Sequence, residues 1–88
     1  MHPTSKQIRR WRIRLGMTQD QLARRVGVLQ PVVSCWESGE RVPSYARSLE
    51  LLQTAAPLVE EARAMLTREL AHIARVARAD GRDTNADV

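Results

Sequence analysis

Few side chains of this 88-residue chain have the types and spacing that catalysis or metal binding requires. His2 and His72 lie far apart in the sequence and have no ligand-spaced partner. Glu60 and Glu61 are neighbours on a predicted helix, where adjacent side chains point in different directions, so they do not form a catalytic pair. No Ser/His/Asp or Cys/His group, glycine-rich phosphate loop or metal-ligand cluster is evident. We therefore expect no enzymatic activity, no cofactor and no metal.

Cys35 is the only cysteine, so the chain cannot form an internal disulfide, which is consistent with a reducing cytoplasm. A redox sensor would need a lowered thiol pKa. We interpret Cys35 instead as a small, exposed contact residue. The chain has no apolar run of membrane-spanning length, and the segment after Met1 becomes basic rather than apolar. We therefore expect a cytoplasmic protein with no signal peptide and no membrane partner.

Basic residues are concentrated in the first half of the chain, although the net charge is only +4. Residues 1–48 contain nine Lys or Arg against three acids, whereas residues 49–88 contain five Arg against seven acids. A basic half is typical of a surface that faces a polyanion such as nucleic acid. The alternative is an ordinary solvated charged surface.

Helix signals follow one another along the first half of the chain. The spacing of apolar residues predicts a first helix over residues 4–15, with Gly16 as a left-handed cap. Thr18 and Gln21 form a capping box that begins a second helix, and Gly27 ends it. A third helix is predicted over residues 30–37, because proline is tolerated at position 31 in a first turn.

The second half of the chain predicts two further helices. Ser44 is a good cap for a fourth helix, and Pro57 breaks the pattern. Apolar residues then recur every three or four positions, which predicts a fifth helix of five to six turns that ends near Ala79 at Asp80-Gly81. The expected organisation is a helix-turn-helix domain over 1–56, an amphipathic helix over 57–80 and a disordered tail over 81–88. The fold class is all-α with five helices.

Two short helices, 19–26 and 30–37, are joined by Gly27-Val28-Leu29, as in a helix-turn-helix. The ordered set of residues resembles the lambda-repressor/Cro-type (XRE-like) helix-turn-helix family over residues 5–56. The matching residues are Ile8-Arg9-Arg10-Trp11-Arg12, Gly16-Met17-Thr18-Gln19, Gln21-Leu22-Ala23, Val26-Gly27-Val28, Val33-Ser34, Trp36-Glu37-Ser38-Gly39, Arg41 and Pro43-Ser44.

This resemblance implies that the third helix enters the major groove of DNA, with Gln30, Pro31, Ser34 and Cys35 at base-contacting positions. A glutamine amide can pair with adenine, and apolar groups such as Pro31, Val32 and the Cys35 side chain can lie against thymine methyls. It also implies a structural ion pair between Arg12 and Glu37. The positions that it assigns to DNA phosphates are Thr18, Gln19, Val32, Ser38 and Arg41.

The chain departs from the family pattern at three places. Leu29 stands where a capping Ser or Thr is usual, so Gln30 is an alternative cap. Cys35 replaces a long polar or basic side chain, which favours apolar or A·T-type base contacts. The fifth helix is also longer than a minimal domain of this type requires.

The resemblance implies a sequence-specific DNA-binding repressor that binds a palindromic operator as a homodimer. The fifth helix is expected to dimerise through Leu58, Leu66, Leu70 and Ile73, or alternatively to pack on its own core. An antitoxin that regulates its own operon and binds a toxin is the competing function. A protein adaptor that does not bind DNA is a third, weaker candidate function, and activation of transcription is an alternative to repression.

Overall fold

The computed structural model describes the backbone of residues 2–86 and the side-chain surroundings of residues 2–79. Its described part contains five α-helices and no strand, as the sequence predicts. The helices are α1 (Ser5–Arg14), α2 (Gln19–Val26), α3 (Gln30–Ser38), α4 (Tyr45–Ala55) and α5 (Glu60–Ala86).

Local signals explain where α1 and α2 begin and where α2 ends. The Thr18 hydroxyl accepts a hydrogen bond from the Gln21 amide at 3.1 Å, and the Gln21 side chain accepts one from the Thr18 amide at 2.8 Å. Thr4 and Gln7 form the same reciprocal box at the start of α1. Gly27 ends α2 with a φ of 77°, a conformation that glycine adopts without the steric cost of a Cβ. The turn between α2 and α3 therefore follows directly from the sequence.

The first core cluster joins α1, α2, α3 and α4 behind the helix-turn-helix. Each fully buried aliphatic side chain in it contributes about 1.5–3 kcal/mol to stability. Because α2 and α3 are only two turns long, this burial, more than intrinsic helix propensity, holds them in place. The buried members are Ile8, Leu22, Ala23, Val26, Val33, Trp36 and Leu51.

The second core cluster shows that α5 is part of the folded body. Trp11 of α1 and Leu52 and Ala55 of α4 pack with Val59 and Ala62 at the start of the fifth helix. Met65 and Leu66 are partly buried against the same cluster. The cluster thus joins residues on both sides of the domain boundary predicted after residue 56.

Three hydrogen bonds hold α5 against the other helices. The Trp11 indole Nε1 donates to Glu61 Oε1 at 2.9 Å, and Arg10 bonds the same oxygen at 2.8 Å. Further along, the Tyr45 hydroxyl donates to the buried Glu69 carboxylate. Residues 59–69 thus pack on the chain's own core.

The ends of α5 differ from the predicted ones. Leu58 lies in the turn before the helix and is exposed, so it is not part of a helical stripe. At the other end the helix continues through Asp80-Gly81 to Ala86, although the sequence predicts an end near Ala79. A single helical glycine costs only about 1 kcal/mol relative to alanine, which does not by itself stop a helix. Disorder was predicted for residues 81–88; residues 81–86 are helical, and Asp87 and Val88 lie outside the described residues.

Candidate nucleic-acid interface

A chain of hydrogen bonds connects the beginning of α3 to α2 and α1. Gln30 Nε2 donates to Gln19 Oε1 at 2.8 Å, and Gln19 Nε2 donates to Glu37 Oε1 at 3.2 Å. A glutamine side chain has two amide hydrogens and an acceptor oxygen, so this arrangement leaves Gln30 with one donor and its Oε1 for a ligand. Gln19 therefore holds Gln30 in an orientation from which it can still bind another molecule.

The predicted ion pair between Arg12 and Glu37 is formed and largely buried. Arg12 Nε lies 2.6 Å from Glu37 Oε2, and Arg12 Nη2 lies 3.0 Å from Glu37 Oε1, which is the paired geometry that guanidinium and carboxylate groups favour. The Arg12 Nη1 group also donates to the Met17 carbonyl at 3.0 Å. The hydrogen bond to Glu37 raises the pKa of Arg12, partly offset by burial. Arg12 thus links α1 to α3 and to the residues just before α2, and its charge is neutralised by Glu37.

An open groove of about 280 Å³ lies beside this ion pair. Gln19, Ser34 and Ser38 line it, and Arg9 of α1 is also at its wall. Arg9 is exposed and forms no ion pair among the described side chains. The site prediction omitted Arg9, although its spacing of three from Arg12 places both side chains on neighbouring parts of one helix surface.

The four predicted base-contacting residues lie along one side of α3, but their environments differ. Pro31 is exposed, whereas Gln30, Ser34 and Cys35 are half-buried. The Cys35 thiol donates a hydrogen bond to Glu40 Oε2 at 3.5 Å. Partial burial, together with the Glu40 carboxylate, raises the pKa of Cys35. A reactive redox thiol needs the opposite shift, so the raised pKa does not support a redox role for Cys35.

Two of the predicted phosphate-contacting residues, Thr18 and Ser38, already use their hydroxyl groups in hydrogen bonds within the protein. The Thr18 hydroxyl accepts the Gln21 amide and keeps its own hydrogen. The Ser38 hydroxyl donates to the Cys35 carbonyl at 3.1 Å and accepts the Glu40 amide at 3.3 Å.

Val32 and Arg41 complete the predicted phosphate set. Val32 packs partly against the first core cluster, and its amide donates to the Leu29 carbonyl at 2.9 Å. The amide of Arg41 bonds the Cys35 carbonyl at 3.2 Å, while its side chain is exposed. Of the predicted phosphate set, Arg41 offers a free positive charge.

Other kinds of site do not emerge from the described residues. Over residues 2–79, no three His, Cys, Asp or Glu side chains come together as metal ligands. None of the described helices combines the length and the apolar character needed to span a bilayer.

Comparison with known proteins gives one result. The sequence profile of the helix-turn-helix family matches residues 8–54, just over half of the chain, and this segment contains α2, α3 and the hydrogen-bond chain described above. Neither a curated protein nor a solved structure matches the chain significantly. The chain belongs to the helix-turn-helix family of Cro/C1 (XRE-like) type and is a DNA-binding transcription regulator.

Proposed function

We propose that this regulator is a repressor that binds a palindromic operator as a homodimer. The observation that supports operator recognition is the hydrogen bond from Gln30 to Gln19, which orients the Gln30 amide at the beginning of α3. Recognition helices contact base edges mainly through their N-terminal residues. With its Oε1 and one amide hydrogen available, Gln30 has the donor and acceptor that adenine N7 and N6 require.

The proposed contacts divide into base and phosphate contacts. Gln30, Pro31, Ser34 and Cys35 face the bases, and Pro31 and Cys35 favour thymine methyl groups because they present apolar atoms. The proposed phosphate contacts are Thr18, Gln19, Val32, Ser38 and Arg41, together with Arg9 at the edge of the groove. Arg9 and Arg41 provide the charge, since Arg12 is already neutralised by Glu37.

A homodimer supplies the second half-site that specific recognition needs. One recognition helix reads only a few base pairs, whereas two copies read half-sites roughly 34 Å apart. Beyond Glu69, Leu70, Ile73 and Val76 of α5 are exposed on a helix that no longer contacts the body. We assign the dimer contact to Leu70 and Ile73 with Val76. Of the other predicted seam residues, Leu66 already packs on its own core and Leu58 lies in the turn.

Selection of bound duplexes from a random DNA pool tests the repressor proposal. We expect an enriched, two-fold symmetric site, and we expect Gln30→Ala to lower affinity for it by about 1–3 kcal/mol with little effect on random duplexes. A reporter gene downstream of the selected site should be silenced by the protein. A pool without an enriched site, or one that gives an asymmetric site, would contradict the proposed operator.

The dimer contact is tested by the double variant Leu70→Asp with Ile73→Asp, measured by light scattering. Charges buried in an apolar contact lose solvation without gaining a partner, so we expect a folded monomer with weakened operator binding. Ile13→Asp replaces an exposed apolar residue on α1 and serves as the matched control. A wild-type protein that is already monomeric at micromolar concentration would overturn the homodimer.

The charge of the same helix segment favours a second candidate function, an antitoxin. Side chains 70–79 include Arg75 and Arg78 but no acid, so two parallel copies would repel each other, whereas an acidic protein surface would attract them. We therefore retain a toxin as the alternative partner of α5. Co-expression with the product of the neighbouring reading frame, followed by a growth assay with and without Leu70→Asp, distinguishes the two functions.

A further inference from the structure

Leu29 is an apolar side chain in an unusual position. It is 76% exposed, which is the largest value among the exposed large hydrophobic residues of the described chain. Its neighbours Val28 and Val32 pack against the first core cluster, but Leu29 does not. The residue therefore contributes little to the core of the free protein.

Leu29 is also the N-cap residue of α3, where it gives the helix no side-chain hydrogen bond. Ser, Thr, Asp or Asn at an N-cap stabilises a helix by about 1 kcal/mol relative to an apolar residue. Leucine forgoes this stabilisation and exposes a four-carbon group to water. Neither capping nor packing thus accounts for a leucine at this position.

The place of Leu29 in the interface suggests what covers it. Its backbone is extended, with φ −82° and ψ 151°, and it directly precedes Gln30, whose amide is held by Gln19. The N-terminal residues of a recognition helix are those that reach the floor of the major groove. In that groove the C5 methyl of thymine is the apolar group that a base pair displays.

We propose that Leu29 is a specificity-determining residue that contacts the C5 methyl group of a thymine in each half-site. This proposal rests on the proposed operator-binding function. It implies that the protein distinguishes thymine from uracil and from cytosine at one position by apolar contact. The contact is independent of the hydrogen bonds that Gln30 makes to its own base pair.

Removal of single methyl groups from the DNA tests the contact. Each thymine of the selected duplex is replaced in turn by deoxyuridine, symmetrically in both half-sites, and affinity is measured by fluorescence anisotropy. Burial of one methyl group changes affinity by about fourfold, so the thymine that Leu29 contacts should show a loss of roughly 15-fold when both half-sites are changed. At that position the variant Leu29→Ser should bind the thymine and deoxyuridine duplexes equally.

Leu29→Ser is preferred to an alanine variant because serine supplies the missing cap, so the protein should melt at the same or a higher temperature. Ile13→Ala, which removes apolar atoms from another exposed site, should keep the wild-type preference for thymine. If no thymine shows a preference that depends on Leu29, the proposal is wrong. It is equally wrong if Leu29→Ser changes the oligomeric state and leaves thymine preference intact. A pool without any enriched duplex would overturn the proposed function, and this inference with it.

Discussion

Replacement of Glu37 by alanine should destabilise the fold before it alters DNA recognition. The Glu37 side chain is 6% exposed and that of Arg12 is 16% exposed, so the variant leaves a guanidinium group nearly buried without its carboxylate. It also removes the acceptor of the Gln19 amide. Both losses weaken the contacts that α3 makes with α1 and with the beginning of α2.

The expected magnitude is about 3 kcal/mol. Removal of one partner of a buried ion pair costs about 3–5 kcal/mol, and we take the lower end because Arg12 keeps some access to water and its bond to the Met17 carbonyl. For a domain of this size, 1 kcal/mol changes the melting temperature by roughly 4–8 °C. Glu37→Ala should therefore melt about 12–24 °C below the wild type.

Thermal denaturation followed by circular dichroism, with urea denaturation as a check, measures this loss. Asp20→Ala is the matched control, because it breaks the exposed pair between Asp20 and Arg24, which contributes about 0.5 kcal/mol or less. If Glu37→Ala melts within a few degrees of the wild type but no longer binds DNA, then the ion pair acts in recognition and not in the fold.

Three further outcomes are expected. The buried Ser48 hydroxyl has no hydrogen-bond partner among the described groups, so Ser48→Ala should raise the free energy of unfolding in urea by about 1 kcal/mol. The hydrogen bonds from Trp11 and Arg10 lower the pKa of Glu61 below its ordinary 4.5. The ionised Glu61 side chain therefore stabilises the fold above that pH, and this stabilisation is lost as the pH falls through the lower pKa of the folded state. Because the Glu61 side chain is 44% exposed, Glu61→Gln should change stability only slightly at neutral pH and flatten the acid limb of the unfolding curve. Arg9→Ala should reduce the slope of log affinity against log salt by about 0.9, whereas Arg14→Ala, on the side of α1 toward α5, should leave the slope unchanged.

Signals that act over a few residues predicted much of the fold. The Thr18 capping box and the left-handed Gly27 define α2 within the sequence itself, and the structure confirms both. The same threonine-to-glutamine spacing is present at Thr4 and Gln7, where it could have located the start of α1 to the residue. The family resemblance predicted an ion pair of Arg12 with Glu37, and Arg12 Nε lies 2.6 Å from Glu37 Oε2.

Contacts between distant residues could not be predicted in the same way. Trp11 and Glu61 are 50 residues apart in sequence, and Tyr45 and Glu69 are 24 apart, so no local pattern pairs them. Periodicity showed that α5 has an apolar stripe but not that its first turns complete the core while later turns stay uncovered. Similarly, the bond between Gln19 and Gln30 depends on the angle between two helices, which no short-range signal specifies.

The hydrogen bond from Trp11 to Glu61 has a thermodynamic consequence for the regulator. Trp11 precedes Arg12 on α1, so neighbouring residues of one helix contact both α5 and, through Glu37, the recognition helix α3. A ligand of α5 that binds more tightly when the protein is on its operator must, by linkage, raise operator affinity by the same factor. A ligand of α5 that binds more tightly to the operator-free protein must, by the same linkage, lower operator affinity. Operator occupancy would then report the concentration of whatever binds α5.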